Sequence, residues 1–462
     1  MTHSLFAQHA LLPSGWARDV LLQWDSKGQW HAISSNVVPA PQVPHACGPV
    51  LPGMPNLHSH AFQRAMAGLT EYRSNTHDSF WSWRTLMYRF ASQLSPAQFE
   101  AIATGLYVEM LESGFTSVCE FHYLHHDVAG RAYANPAEMS LCLLRAAQRS
   151  GIGITLLPVL YQSSDFGGHA PADGQARFIH RTQSMLRLME QLKPLCEAQG
   201  ARLGLAPHSL RAVPPESLRD ALTGLQSIDA SAPVHIHIAE QQAEVQACLA
   251  WSGQRPVAWL LEHAPVDARW CLVHATHMDA REHDEAASRG AVAGLCPSTE
   301  ANLGDGIFDF PAWQQQCGAW GIGSDSHIAV NPAEDLMLLE YTQRLAVGRR
   351  NVIAPAGQPD IAQALWQGAV AGGAQAAGRA VAGLAEGQRA DFIVLDAAHP
   401  ALQGLPSPMM LASHVFASSR SSAIAQVWTG GQPLVQHGRH VLHDVATLGL
   451  TTARAQLLTQ CA

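Results

Sequence analysis

From residue 50 to about 330, short β-rich apolar runs alternate with stretches of helical period. The runs are LPGMPNL (51–57), FTSVCEF (115–121), GITLLPVLY (153–161), RLGLAPH (202–208), APVHIHIA (232–239), WCLVHAT (270–276), AVAGLCP (291–297) and GAWGIGSD (318–325). Nearly continuous apolar strands parted by helices predict a parallel sheet covered on both faces. One of the intervening helices carries its own punctuation. Ser95 reads as the N-cap, Pro96 as the first helical residue, Gln98 as the partner in a capping box, and Gly114 as the stop before the second strand. Eight such units in about 280 residues have the count and size of a (β/α)8 TIM-type barrel. A doubly wound sheet would need a Gly-rich phosphate turn after its first strand, and the sequence has none there.

The two flanks read differently. Residues 1–50 and roughly 380–440 are punctuated by Gly and Pro and carry short alternating runs such as RADFIVLDA and IAQVWTGGQPLVQHGR, in which TGGQ (429–432) reads as a tight hairpin turn. The Ala/Gly-rich stretch AVAGGAQAAGRAVAGLAEG reads as one helix followed by a turn. Similar β character at both chain ends predicts one small β-sandwich-like domain beside the barrel. Residues 1–50 give its N-terminal part, 51–380 the barrel, and 381–462 its C-terminal part with a terminal helix.

Composition narrows the class. Of 462 residues, 47% are apolar and only 14% charged, yet no 18-residue run lacks polar breaks, which reads as a globular chain without membrane spans. The N-terminal MTHSLFAQHALLPSGWARDV lacks the basic region, apolar core and cleavage site of an export signal. Nine cysteines are scattered singly with no C-x-x-C, a usage that fits a reducing compartment and argues against a disulfide frame or a Cys-ligated zinc. The expected location is the cytoplasm. A net charge of −9 and the absence of a Lys/Arg run disfavour nucleic acid as a partner.

Candidate chemistry gathers at strand ends, where barrels of this kind place it. His58 and His60, two apart at the end of the first strand, face the same way. The fifth strand ends with His235, His237 and Glu240, the sixth with His274 and His277, and the eighth with Asp325 and His327. Any one of these is most simply a hydrogen-bonded structural histidine or a capping aspartate. Together they are hard to place that way, because each unpaired buried polar group costs about 1–3 kcal/mol. A metal removes the difficulty, since imidazoles plus a carboxylate are ordinary ligands for zinc and, less selectively, for ferrous iron.

His-x-His on strand one, His on strands five and six and Asp on strand eight resemble the amidohydrolase superfamily. Members with two metals bridge them with a lysine on the fourth strand. Only two of the 28 basic residues here are lysines; Lys193 lies in a helical segment and Lys27 in the N-terminal flank, so one metal per chain is expected, zinc or else ferrous iron. HIAE, with Glu240 three residues after His237, resembles the deaminase branch. Within it, HSHAFQRAMAGL, WSWR (81–84), EFHYLHH (120–126), APHSLRAV (206–213) and HIHIAEQ (235–241) resemble members that release ammonia from N-formimino-L-glutamate. Residue by residue, the resemblance implies His58, His60, His237 and Asp325 as metal ligands. It implies Glu240 and His274 as the proton-transfer pair beside Asp325, and Gln63, Arg84, Tyr123, His208 and Arg211 as substrate contacts.

The implied reaction has hydroxide, generated at the metal, attack the formimino carbon while Glu240 protonates the departing nitrogen. A dicarboxylate small molecule suits arginine, whose planar fork pairs with carboxylates. Arg211, just past a strand end, reads as a rim residue made for this. Arg84 is placed in a long loop after strand one, where a solvated role competes. Tyr123 competes with plain core packing; His235, His277 and His327 read as structural; Phe80, Trp81 and Trp83 read as loop packing or a subunit contact. A homodimer is the expected assembly. Two rival readings are a related deaminase acting on a nucleobase-like ring and a non-catalytic barrel scaffold, which would show gaps in its ligand set.

Overall fold

The structure, a computed structural model, describes residues 3–71, 80–355, 357–418 and 422–461, without the side chains of residues 80–82. The first apolar run splits in two. Val50–Pro52 joins a sheet made from the chain ends, whereas Met54–Ser59 (β1) opens the barrel, so the barrel begins three residues later than the run at 51–57 implies. A Cβ on Gly53 would lie 2.3 Å from the Thr116 side chain, so the chain passes between the two sheets only as glycine.

The other predicted strands follow as β2 (Phe115–His122), β3 (Gly153–Leu160), β4 (Arg202–Leu203 and Ala206–Pro207), β5 (Val234–Ile238), β6 (Trp270–His274), β7 (Val292–Leu295) and β8 (Ala319–Ile322). Neighbours pair in parallel from β1 to β4 and from β5 to β8. Two bridges close the ring, Leu205 with Val234 and Ser59 with Asp325. RLGLAPH is not one continuous strand. Between its two short pieces Leu205 turns to the other neighbour, its N–H donating to Pro233 O, so this segment is shared between β3 and β5.

The helix Pro96–Ser113 starts and stops where the sequence marks it. Ser95 Oγ accepts from Gln98 N, Gln98 Oε1 accepts from Ser95 N, and Gly114 ends the helix at φ +101°. The helix Ile361–Ala377 seals the bottom of the barrel. Thr155 Oγ1 on β3 donates to Ala377 O, and His235 Nε2 on β5 donates to Ala376 O. His235 is thereby spent as a structural group at the end of the barrel remote from the β5 C-terminus.

Both chain ends build a single eight-stranded sheet. Its centre is Val50–Pro52, flanked by His3–Leu12 on one side and Phe392–Leu395 on the other. The sheet curls until its arms meet. Gln29 bridges to Arg389, and the Trp24 ring stands 5.7 Å from Trp428 and 5.6 Å from Trp30 over Phe392. TGGQ is the expected hairpin turn, with Gly430 and Gly431 both at positive φ between Ile424–Thr429 and Gln432–Gln436. Among the described residues no helix is long and apolar enough to cross a membrane.

Candidate active site

The closure of the barrel and the assembly of the histidines are one event. His60 N donates to Asp325 O and Asp325 N donates to His58 O, which sets the end of β1 against the segment after β8. Gly323 permits the approach, since a Cβ there would lie 2.8 Å from His58 Cβ and from its backbone nitrogen. The backbone is also bent out of its usual range at this rim. Among the described residues, ten non-glycine positions have positive φ, and five of them are Ala239, His274, Ala275, Asp325 and His327. Such conformations cost about 1–3 kcal/mol each and persist where the surroundings over-determine them.

At the top of the barrel three ring nitrogens converge. His58 Nε2 is 3.1 Å from His60 Nε2 and 3.0 Å from His237 Nε2, and all three residues are buried. Asp325 Oδ1 stands 3.5 Å from His58 Nε2 and 3.3 Å from His60 Nε2. The opposite ring nitrogens fix the tautomers. His60 Nδ1 is 2.9 Å from Phe121 O and His237 Nδ1 is 3.1 Å from His208 O; a carbonyl only accepts, so both Nδ1 atoms carry the proton. Each Nε2 of that pair then presents a lone pair to His58 Nε2. Burial lowers the pKa of His60 and His237 and pushes His58 down to about 3, so the rings stay neutral. Facing lone pairs repel unless a cation lies between them. Nitrogen ligands about 2.0–2.1 Å from one tetrahedral ion stand roughly 3.3 Å apart, close to the spacing seen. The donor set therefore fits a divalent metal, and the carbonyl partners supply the orienting contacts such ligands take.

A further layer holds β1. Glu120 Oε2 accepts from Ser59 Oγ at 2.6 Å and from Tyr107 OH, and its Oε1 accepts from Ala61 N at 2.7 Å, so it grips the residues on both sides of His60. Burial pushes its carboxyl up to about 7 against those three donors. Asn56 ties β1 to Ser324, and Ser324 Oγ and Ser59 Oγ flank the two ring nitrogens of His327. His327 is occupied there, and His277 Nε2 donates to Asp305 O, so neither ring belongs to the converging group.

Glu240 and His274 stand beside it. His274 Nε2 lies 3.7 Å from Asp325 Oδ2 and 3.9 Å from Glu240 Oε1, while its Nδ1 lies 3.2 Å from Glu300 Oε1. Burial alone would lower the His274 pKa; the Glu240 charge, the bond to Glu300 and the Asp325 charge outweigh it and push it up to about 10. Burial pushes Glu240 up to about 7, with the charges of His274 and Arg211 opposing. Glu300, on the helix Pro297–Leu303, carries no sequence motif that would have marked it.

One pocket opens over these groups and is lined by all five substrate-contact candidates, Gln63, Arg84, Tyr123, His208 and Arg211. Gln63 Nε2 donates to Tyr123 OH at 2.8 Å, and the Tyr123 ring stands edge-on to His60 at 5.0 Å. Arg84 is not in a loop: it lies on the helix Phe80–Gln93, whose 14 residues occupy part of the segment after β1. Arg211 is less a rim group than the sequence implied, because its Nε is enclosed by protein and has no partner among the described residues. The sequence reading missed an aromatic wall. Trp83, Tyr88, Tyr161 and Phe178 line the same pocket; the side chains of Phe80 and Trp81 lie outside the described residues. Tyr161 closes the third apolar run, a position that its place at a strand end could have marked.

Known proteins share this fold. The Amidohydrolase family model matches residues 50–434. A formimidoylglutamate deiminase of Pseudomonas aeruginosa is 49% identical over 455 residues, covering 98% of this chain and 99% of the relative. A crystal structure of an amidohydrolase from Brucella melitensis superposes with a TM-score of 0.94 at 47% identity, covering 99% of this chain and all of the other. An adenosine deaminase from Xanthomonas campestris, solved with bound zinc, shares the fold at a TM-score of 0.78 and 19% identity over 99% of this chain and 98% of its own. A TIM-type barrel with a terminal sheet, and similarity that runs nearly from end to end, leave one conclusion: the chain belongs to the amidohydrolase family.

Proposed function

We propose that the chain hydrolyses N-formimino-L-glutamate to N-formyl-L-glutamate and ammonia, as the curated Pseudomonas aeruginosa relative is named for doing. The observation that carries the reading is one pocket lined both by His60, His237 and Asp325 and by two arginines, Arg84 and Arg211. A substrate with a hydrolysable amidine at one end and two carboxylates at the other matches that pairing. In this reading His58, His60, His237 and Asp325 hold one zinc ion per chain, or ferrous iron, and the enzyme works as a cytoplasmic homodimer.

A divalent cation at these ligands supplies the charge that brings the pKa of water from about 16 toward about 7. Asp325 accepts the proton of the attacking water, and His274, held within 4 Å of both Asp325 and Glu240, keeps that water aligned. The water oxygen bonds to the formimino carbon, which becomes tetrahedral. Glu240, whose raised pKa keeps a proton on part of the population at neutral pH, protonates the amidine nitrogen. The nitrogen takes its second proton from Asp325, the carbon–nitrogen bond breaks and ammonia leaves, and the proton of the attacking oxygen returns to Glu240 as that oxygen becomes the formyl carbonyl. Arg84 and Arg211 pair with the glutamate carboxylates, while Gln63, Tyr123 and His208 orient the amidine end.

The aromatic wall supports a second reading, because a flat ring could stack there. Ammonia release from formiminoglutamate is to be compared with release from guanine, cytosine and adenine derivatives. Turnover of formiminoglutamate at least about a hundredfold above any ring substrate in kcat/KM is expected, some 2.7 kcal/mol of discrimination. The reverse order would sink the proposal.

A further inference from the structure

We propose that Gln175, through Tyr88 and Tyr161, is the positioning residue that sets the arginine wall of the pocket, and so determines how the carboxylate end of the substrate is held. The inference rests on the substrate reading above. Gln175 lies in the short turn Asp173–Gln175 after β3, is fully buried, and touches neither the converging histidines nor the pocket surface. Every polar atom of its amide is used. Oε1 accepts from Ala172 N at 2.8 Å, and Nε2 donates to Tyr161 OH at 2.7 Å and to Tyr88 OH at 3.2 Å.

Tyr88 carries the effect onward. Its hydroxyl accepts from Arg84 Nε, and the Arg84 guanidinium lies over the same ring, 5.1 Å from its centroid. The two residues stand one helical turn apart on Phe80–Gln93, the spacing at which side chains meet. A guanidinium held at Nε and against a ring face is fixed in plane, which matters because bidentate pairing with a carboxylate is directional. The turn is pressed onto the tyrosine: a Cβ on Gly174 would lie 3.0 Å from Tyr88 Cδ2. Tyr161, the other acceptor, packs its ring 4.6 Å from His208 and lines the pocket with Arg211. One buried amide thus ties the turn after β3 to the helix after β1, across the face where both arginines stand.

The test uses three variants of the metal-loaded enzyme and two substrates, formiminoglutamate and a simple N-alkylformamidine without carboxylates. Gln175→Met removes both donated bonds, and with them the bond accepted from Ala172 N, at nearly constant volume, and Tyr88→Phe removes only the hydroxyl. Each is expected to raise KM for formiminoglutamate at least about fivefold, with kcat within about twofold, the size of losing one or two of the hydrogen bonds that orient the Arg84 guanidinium. Gln175→Met, a change off the pocket surface, should leave kcat/KM for the formamidine unchanged, whereas Tyr88→Phe, in the pocket wall, is read by the ratio of its losses on the two substrates. Arg84→Met is the reference and should discriminate between the substrates more strongly than either. If Arg84→Met discriminates while Gln175→Met and Tyr88→Phe do not, the positioning proposal is overturned and the substrate reading stands. If Arg84→Met itself does not discriminate, both are overturned. Equal losses on both substrates, with lowered metal content or Tm, would make Gln175 a residue of the fold alone and also overturn the proposal.

Discussion

Replacing Arg211 by Met tests the substrate assignment most directly. The guanidinium sits where its Nε is closed off from water without a partner among the described residues, and the charges of Glu244 and Glu240 favour its protonated form against burial. A half-buried guanidinium at the pocket wall gives an incoming carboxylate a pairing that water screens less than at an open surface. Losing one charge-assisted pair costs about 1.5–3 kcal/mol. That corresponds to a fall in kcat/KM for formiminoglutamate of roughly 10- to 150-fold. For an N-alkylformamidine without carboxylates the fall should nearly vanish. Steady-state ammonia release with both compounds, on parent and variant, gives the ratio of ratios. A modest drop in Tm should accompany it, because Glu244 is buried with one carboxylate oxygen unpartnered and would lose the nearby positive charge. If both compounds lose activity equally, Arg211 serves the fold and no substrate carboxylate reaches it.

The other expectations concern the proton donor, the metal and a remote carboxyl. Glu240→Gln keeps the shape of the side chain but carries no transferable proton; metal content should stay normal while kcat falls at least about a hundredfold, and near-normal turnover would remove Glu240 from the mechanism. His58→Ala or His237→Ala should abolish both metal binding, read by elemental analysis, and activity, with the circular dichroism of the fold retained; about two metals per chain in the active parent would refute the single-ion reading. Asp335 is fully buried, accepts from Ser298 N, and has its carboxyl pushed up to about 8 by burial. Unfolded, it ionises near about 4, so the folded chain binds the extra proton between roughly pH 4 and 8 and this group's contribution to stability declines as pH rises through that window. Asp335→Asn should remove that decline, so its Tm advantage over the parent grows from pH 4 to pH 8; a pH-independent difference would refute it.

The eight strands were legible because both faces of a barrel strand are buried, which leaves a long apolar run in the sequence. The run at 51–57 misled at its start because two strands of different sheets follow each other with only Gly53 between them, and both are apolar. Arg84 was misplaced for a related reason. Within its segment, WSWRTLMYRF, Trp83, Met87 and Tyr88 line the pocket beside Arg84, so apolar and aromatic positions serve the site as well as the core and do not read as a core-facing helix. At the converging site, imidazole and carboxylate groups recur at four strand ends, and that recurrence, in a chain with 25 histidines spread throughout, is what makes them readable.

What orients those groups leaves no comparable trace. The tautomers of His60 and His237 are set by the carbonyls of Phe121 and His208, and any residue at those two positions would offer the same carbonyl. The positive φ at Ala239, His274 and Asp325 is equally silent, because no glycine or asparagine advertises the bend. Closure of the barrel enforces both: the pairing of His58 and His60 with Asp325 along the backbone leaves their side chains no other direction. The converging set in this fold is therefore specified twice, once by residue types that a sequence displays, and once by register across the β1–β8 seam. A one-residue slip at that seam would turn His58 and His60 away from Asp325 while leaving every motif intact.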